Sequence, residues 1–330
     1  MNRKLIGAAV AAILTAAPAL AEFPEKDLQG IVMWGAGGST DTVMRSVTPH
    51  AEEVLGGNVI IQNMTGGVGA IATKFVAAQE ADGYTLLLGA ENPQLYKVMG
   101  LGDIDYSEFI PINILARGVP VIVANNDAPF NTFTEMVDYV NAHPNEVKFG
   151  TTGPGGLPST VTAMVSSKVD LPVTEVPYDG DGPAITALQS GAIDVVPVVM
   201  GVAIEHVKAG RVKPIALMDT EANPLMPDLP PITDEYPDYA TYLPWGPFFG
   251  VFVKDGTPDE AVDKLKAAYS AGAEHPDFKA LMENRGYSIM NISGDEAVNF
   301  LEKYQSVTSW LVFDAGIAKA SPEEFGIPRP

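Results

Sequence analysis

Three glycine-rich turns carry the residues best suited to chemistry in this chain. The first is Gly35-Ala36-Gly37-Gly38-Ser39-Thr40-Asp41, the second runs from Thr151 through Thr152, Gly155 and Gly156 to Ser159, and the third is Tyr178-Asp179-Gly180-Asp181-Gly182. Each leads into a stretch with helical spacing. The first backbone N–H groups of a helix have no intrahelical partner, and the helix dipole is positive there. Such a turn therefore receives a carboxylate or a phosphate. A single turn of this kind is ordinary strand-to-helix geometry. Three of them at the carboxyl ends of strands describe a ligand crevice.

Other chemistries fit the residues less well. The first turn has Thr40 where G-x-G-x-x-G needs its third glycine, and it lacks the lysine of a P-loop. Gly67-Val68-Gly69-Ala70-Ile71-Ala72 does fit G-x-G-x-x-A, with Glu91 near the spacing of a ribose-binding carboxylate, but in a different loop context. There is no G-x-S-x-G and no H-E-x-x-H, and no two of His50, His143, His206 and His275 have zinc-ligand spacing. No cofactor and no metal is expected. Asp179 and Asp181 form an acidic pair in one turn. The sequence leaves open a calcium site, two carboxylates for acid–base work, a solvated turn, or contacts to a ligand amine or hydroxyl.

The elements that position these turns can be read from hydrophobic period. An extended apolar segment at Leu28–Trp34 precedes the first turn, and apolar residues at 43, 44, 47, 51 and 54 predict a helix after it. Strands at Asn58–Asn63 and Tyr84–Leu88 flank a helix at Ala70–Glu80, which gives β-α-β-α-β and a parallel sheet. A second unit of similar build follows. It has strands at 148–151, 173–177 and 193–199, helices at 130–142, 161–169 and 184–190, and one more strand at 211–217. Apolar strands at Val119–Ala124 and Gly250–Lys254 predict two crossings between two lobes, and helices at 261–274, 276–285 and 295–313 return to the first lobe. The expected division is lobe 1 from 22–120 plus 250–330, and lobe 2 from 121–249.

Composition and the N-terminus narrow the class. Asn2-Arg3-Lys4, an uncharged apolar run from Leu5 to Leu20, and Ala19-Leu20-Ala21 read as a secretory leader spanning 1–21, with Glu22 opening the mature chain. The apolar run is too short and too alanine-rich for a membrane anchor. With no cysteine there is no disulfide and no lipidated residue after the leader, so a free periplasmic protein of a Gram-negative cell is expected. That compartment holds no nucleotide pool, which disfavours kinases and dehydrogenases. The mature chain would carry 18 basic and 41 acidic side chains, a net charge of −23. Such a field repels phosphate backbones and anionic headgroups, so neither nucleic acid nor membrane insertion is expected.

Several segments, in order, resemble the periplasmic solute receptors of tripartite tricarboxylate transporters. They are IVMWGAGGSTD (31–41), VIIQNMTGGVGA (59–70), ADGYTLLLG (81–89), FGTTGPGG (149–156), VPYDGDGPA (176–184), LQSGAIDV (188–195), AGRVKPIA (209–216) and GTP (256–258). The resemblance covers nearly the whole mature chain. It implies a two-lobed type II periplasmic binding protein fold of class α/β, each lobe a mainly parallel sheet flanked by helices, with a two-strand hinge. It also implies a monomer that captures a small organic acid and delivers it to a membrane permease with a large and a small subunit. Carried over, ligand contacts fall on Gly37, Gly38, Ser39, Thr40 and Asp41 in the first lobe. In the second they fall on Thr151, Thr152, Gly155, Gly156, Ser159, Tyr178 and Asp194.

Three departures from the family pattern bear on the ligand. Met33-Trp34-Gly35 replaces a Pro-aromatic-Pro run, leaving Trp34 to wall the cleft or pack in the core. Asp179-Gly180-Asp181 replaces a common Lys-Gly-Gly, and Glu91 stands at the end of the third strand. Added carboxylates repel a tricarboxylate in a partly dehydrated site. The expected ligand is a monocarboxylate, or an acid that also carries an amine or hydroxyls. A ligand sensor docking on a two-component kinase and a periplasmic hydrolase are the rival functions.

Overall fold

A computed structural model describes residues 22–330; the leader expected at 1–21 lies outside the described residues. The first lobe opens with β1 (Leu28–Val32), α1 (Ser39–Leu55), β2 (Val59–Asn63), α2 (Ala70–Ala77), β3 (Thr85–Ala90), the short α3 (Tyr96–Met99) and β4 (Phe109–Arg117). The chain then crosses to β5 (Pro120–Ala124), α4 (Phe133–Ala142), β6 (Lys148–Thr151), α5 (Leu157–Ser166), β7 (Thr174–Pro177) and α6 (Asp181–Gln189). The second lobe continues through β8 (Val195–Val199), α7 (Met200–Lys208), β9 (Lys213–Leu217) and the short α8 (Ile232–Glu235). A return crossing brings β10 (Phe248–Lys254), α9 (Asp259–Glu274), α10 (Pro276–Asn284), β11 (Ser288–Ile292) and α11 (Gly294–Asp314).

The strands form two sheets, ordered β11-β4-β10-β3-β1-β2 and β7-β6-β8-β5-β9. Pairing is parallel among β1, β2 and β3 and among β6, β7 and β8. Each sheet also holds its crossing strand antiparallel: β10 lies between β3 and β4, and β5 between β8 and β9. Both sheets are thus mixed, because a strand arriving from the other lobe enters from the opposite end.

Alternation along the central strands explains why both faces are covered. In β5, Ile122 and Ala124 point into the large core while Val121 and Val123 point into a second cluster; β8 divides Val195 and Val199 from Val196 and Val198 in the same way. A strand buried on both faces reads as a continuous apolar run, which is how VIVA and VVPVV appear in the sequence. In α1 the buried residues Val43, Met44, Val47, Ala51 and Leu55 make one stripe, and Gly56 closes the helix with its N–H on the Glu52 carbonyl.

Besides the short α3 and α8, three elements were not anticipated from pattern: β4, β11 and α7. Pro111 interrupts the signal of β4, β11 is a half-buried edge strand, and α7 opens on Met200-Gly201 without a side-chain cap. Among the described residues no helix is long and apolar enough to cross a membrane.

Candidate functional site

The carboxyl ends of β1, β3, β6 and β8 and the turn after β7 converge where the lobes meet. They enclose a cavity of about 40 Å³ walled by Trp34, Ser39 and Thr40, by Ala90 and Glu91, and by Thr152, Leu157 and Pro158. Gly180, Asp181, Pro197, Val199, Pro247 and Phe249 complete it. That volume holds about three waters. No lysine, arginine or histidine is among these residues.

Three helices, α1, α5 and α6, begin beside this cavity. The start of α1 meets the start of α6 at backbone level. A Cβ built on Gly182 would lie 2.6 Å from the Ala36 carbonyl oxygen and 2.7 Å from the Gly38 nitrogen, and one on Gly38 would lie 2.5 Å from Asp181 Oδ1. Only glycine allows this approach. The Asp181 carboxylate sits in the seam. Ser39 donates its backbone N–H to Oδ1 at 3.0 Å and its hydroxyl to Oδ2. Burial pushes the Asp181 carboxyl above its ordinary range, and the Ser39 hydroxyl and amide oppose that shift.

Two further hydrogen bonds join the lobes here. Gly35 N–H donates to the Asp179 carbonyl at 2.8 Å, and Asn92 Nδ2 donates to the Gly155 carbonyl at 3.1 Å. Asn92 also donates to Glu91 Oε1 at 3.1 Å and accepts the Trp34 indole N–H at 3.0 Å. That one amide orients the ring and the acid while holding the opposite turn. Tyr106 donates to the Ala90 carbonyl at 2.5 Å and so fixes the end of β3 behind Glu91.

Glu91 is 3% exposed. Its pKa is pushed up to about 8, chiefly by loss of water; the Asp181 charge adds to the rise, and hydrogen bonds from its own backbone and from Asn92 oppose it. At neutral pH it is a carboxylic acid. With Oε1 accepting from Asn92, its proton is available to an acceptor in the cavity. Opposite it, Thr152 Oγ1 is buried without a hydrogen-bond partner.

The residues expected at the site divide into several groups. Trp34, Ser39, Thr40, Glu91 and Thr152 line the cavity. Gly37, Gly38, Asp41, Gly155 and Gly156 shape the turns around it. Asp41 accepts Gly37 N–H at 3.0 Å, Arg45 Nε at 2.8 Å and Asn63 Nδ2 at 2.9 Å, so its carboxylate braces the first turn. Gly156 starts α5, where a Cβ would lie 2.0 Å from Thr152 Oγ1. Thr151 Oγ1 accepts Gly153 N–H at 3.3 Å, and Tyr178 donates its backbone N–H to the Thr151 carbonyl at 2.7 Å. Ser159 lies within α5 and is not among the lining residues, whereas its neighbours Leu157 and Pro158 are. Asp179 is exposed and reaches the seam through its carbonyl. Asp194 stands at the other end of β8, where Oδ2 accepts Lys148 N–H at 2.7 Å.

Sequence reasoning did not single out Asn92, and it left Asp181 in an undecided pair. The signal for Asp181 was an acid at the first turn of a helix inside a glycine loop; Asn92 had no local signal. The histidines lie in or at the ends of α1, α4, α7 and α10. Folding does stack His50 on His275, centroids 3.6 Å apart and 10° from parallel, with Asp277 beside them. Parallel stacked rings send their in-plane lone pairs side by side and not toward one point.

Comparison with known proteins agrees with this architecture. BugD, a periplasmic binding protein of known structure, superposes with a TM-score of 0.84 at 27% identity, over 90% of this chain and 100% of its own. MatC from Rhodopseudomonas palustris, solved with bound malate, gives 0.80 at 26% identity over 89% and 100%. BugT of Bordetella pertussis is 27% identical over 264 residues, 78% of this chain and 80% of its own length. The profile of the tripartite tricarboxylate transporter family receptor matches residues 43–312. With two sheets meeting at an amide-lined cavity and that profile spanning most of both lobes, the chain belongs to the TctC receptor family of tripartite tricarboxylate transporters, a family of solute receptors and not of enzymes.

Proposed function

We propose that this protein captures a small organic acid between its lobes in the periplasm and delivers it, as a monomer, to a membrane permease built of a large and a small subunit. The observation that carries this reading is the convergence of three helix starts, with Ser39, Thr40 and Thr152, on one cavity between the two sheets. Positive helix ends, a protonated Glu91 and nearby hydroxyl groups together suit a carboxylate without a formal cation. The malate bound to MatC gives the chemical class in a relative with the same two-lobed architecture.

The ligand has few negative charges. Asp181 already places a carboxylate in the wall, Glu91 stands beside it, and no basic side chain offsets a second or third charge. A monocarboxylate, or an acid that also bears an amine or hydroxyls, suits this wall. The lobes must part to admit any such acid, because about 40 Å³ is too small for one. Contacts completed only in the closed form are what shift the equilibrium toward closure.

Native mass spectrometry of protein purified without refolding identifies the retained molecule. A calorimetric panel of mono-, di- and tricarboxylates then ranks affinities, with monocarboxylates or amino or hydroxy acids expected ahead of citrate. In the Ser39→Ala, Thr40→Ala double variant, affinity for the ligand so identified should fall about tenfold or more in a protein that still folds, with a lower unfolding midpoint because the Ser39 hydroxyl no longer holds Asp181. Citrate as the tightest ligand, or full affinity in the double variant, overturns the reading.

A further inference from the structure

Two helix starts pointing at one another across a cleft place like partial charges face to face. The backbones of the α1 and α6 turns do this here, close enough to exclude any Cβ at Gly38 or Gly182. Between them lies a side chain of the protein itself. The Asp181 carboxylate, carried on the first residue of α6, is held by the amide and hydroxyl of Ser39 on the first residue of α1. It belongs to lobe 2, and the donors belong to lobe 1. The cavity beside this pair is also lined by Thr152, whose buried hydroxyl has no hydrogen-bond partner, and by the 3% exposed Glu91, so polar groups at the cavity remain after Asp181 has taken its place.

We propose that Asp181 is a tethered anion. As the lobes close it seats its carboxylate on the start of α1, neutralising the two opposed dipoles. In doing so it fills a position that a free carboxylate would otherwise occupy. The consequence is a specificity filter. A ligand with one carboxylate is held by the remaining donors around Thr152 and Glu91, and the second carboxylate of a diacid meets a place already taken. This deepens the reading of the protein as an organic acid receptor and rests on it for the selectivity, though not for the vacated position itself.

The test removes the tether and supplies its carboxylate from solution. In Asp181→Gly the position is empty. Sodium acetate at about 100 mM, against equal sodium chloride, should raise the melting temperature of that variant by about 2–4 °C more than it raises that of the wild type. Asp181→Asn, which still fills the space, should respond to acetate no more than the wild type does. By calorimetry, the ratio of succinate to butyrate affinity should rise about tenfold or more from wild type to Asp181→Gly. Asp181→Ala carries the same expectations should glycine at the first helical position prevent folding.

Equal acetate responses in wild type and variant, or none in either, overturn the tether. So does an unchanged succinate-to-butyrate ratio when both acids bind. If neither acid binds either protein, the acetate result alone decides. A wild type that binds no acid in any panel, alongside an acetate-rescued Asp181→Gly, would retire the organic acid reading while leaving the tether standing. A wild type selective for monocarboxylates without acetate rescue would do the reverse.

Discussion

A carboxyl group in a wall almost free of water keeps its proton, and Glu91 is in that position, with its pKa near 8 because burial outweighs the hydrogen bonds it accepts. The consequence for stability has a definite sign. Its folded pKa lies above the unfolded value of 4.5, so between about pH 4.5 and 8 the native state holds a proton that the unfolded chain has lost. This group's contribution is therefore fully present below about pH 4.5, is lost as pH rises toward 8, and then levels off, with a limiting slope of about 1.4 kcal/mol per pH unit. Urea midpoints of wild type and Glu91→Gln should diverge accordingly, the variant losing less stability between pH 5 and pH 8. Equal pH slopes in the two proteins would contradict a protonated Glu91. At the same scale, Asn92 matters because its one amide joins Trp34, Glu91 and Gly155.

At the scale of elements, the two segments that cross between the sheets touch each other. Gly118, between β4 and β5, donates its N–H to the Pro247 carbonyl at 2.9 Å, just before β10. A Cβ on Gly246 would lie 1.9 Å from the Gly118 carbonyl oxygen. The obstacle is backbone and cannot swing aside, so Gly246→Ala must push the two crossings apart. The expected cost is about 2 kcal/mol or more, read as a lower urea midpoint in the variant. An unchanged midpoint would show that the crossings are looser than this contact implies. Beside these crossings, the carboxyl ends of β1, β3, β6 and β8 and the turn after β7 meet at the cavity, and for that reason residues far apart in sequence, such as Trp34, Glu91, Thr152 and Asp181, share it.

At the scale of the whole molecule, the N-terminus of the described chain is tied down. Lys264 in α9 donates to Glu22 Oε1 at 2.5 Å and to the Phe23 carbonyl at 2.8 Å. Intact mass of the exported protein should correspond to residues 22–330, and a mass retaining the first 21 residues would refute cleavage at Ala21. Residues 22–330 carry a net charge of −23, on a protein whose cavity is lined by Ser39, Thr40 and Thr152 and by the carboxyl groups of Glu91 and Asp181. The long-range field thus opposes approach of an anion that the short-range donors welcome. Added salt screens that field and should speed association more than it changes dissociation.

The sequence by itself determined the local pieces. Glycines before helices, apolar runs for β5 and β8, and the stripe of α1 each depend on neighbours a few residues away, and each is visible in the order of residues. It did not reveal β4 or β11, whose strand character comes from pairing and not from pattern. Nor could it separate Ser39, which reaches the seam, from Asp194, which the same β8 carries at its far end. Only the tertiary structure decided that Asp181, and not Asp179, puts its carboxylate into the cleft, and that Asn92 links the lobes. Those assignments depend on which turns the two sheets bring together, and distance across a cleft is not encoded in the spacing of any one segment.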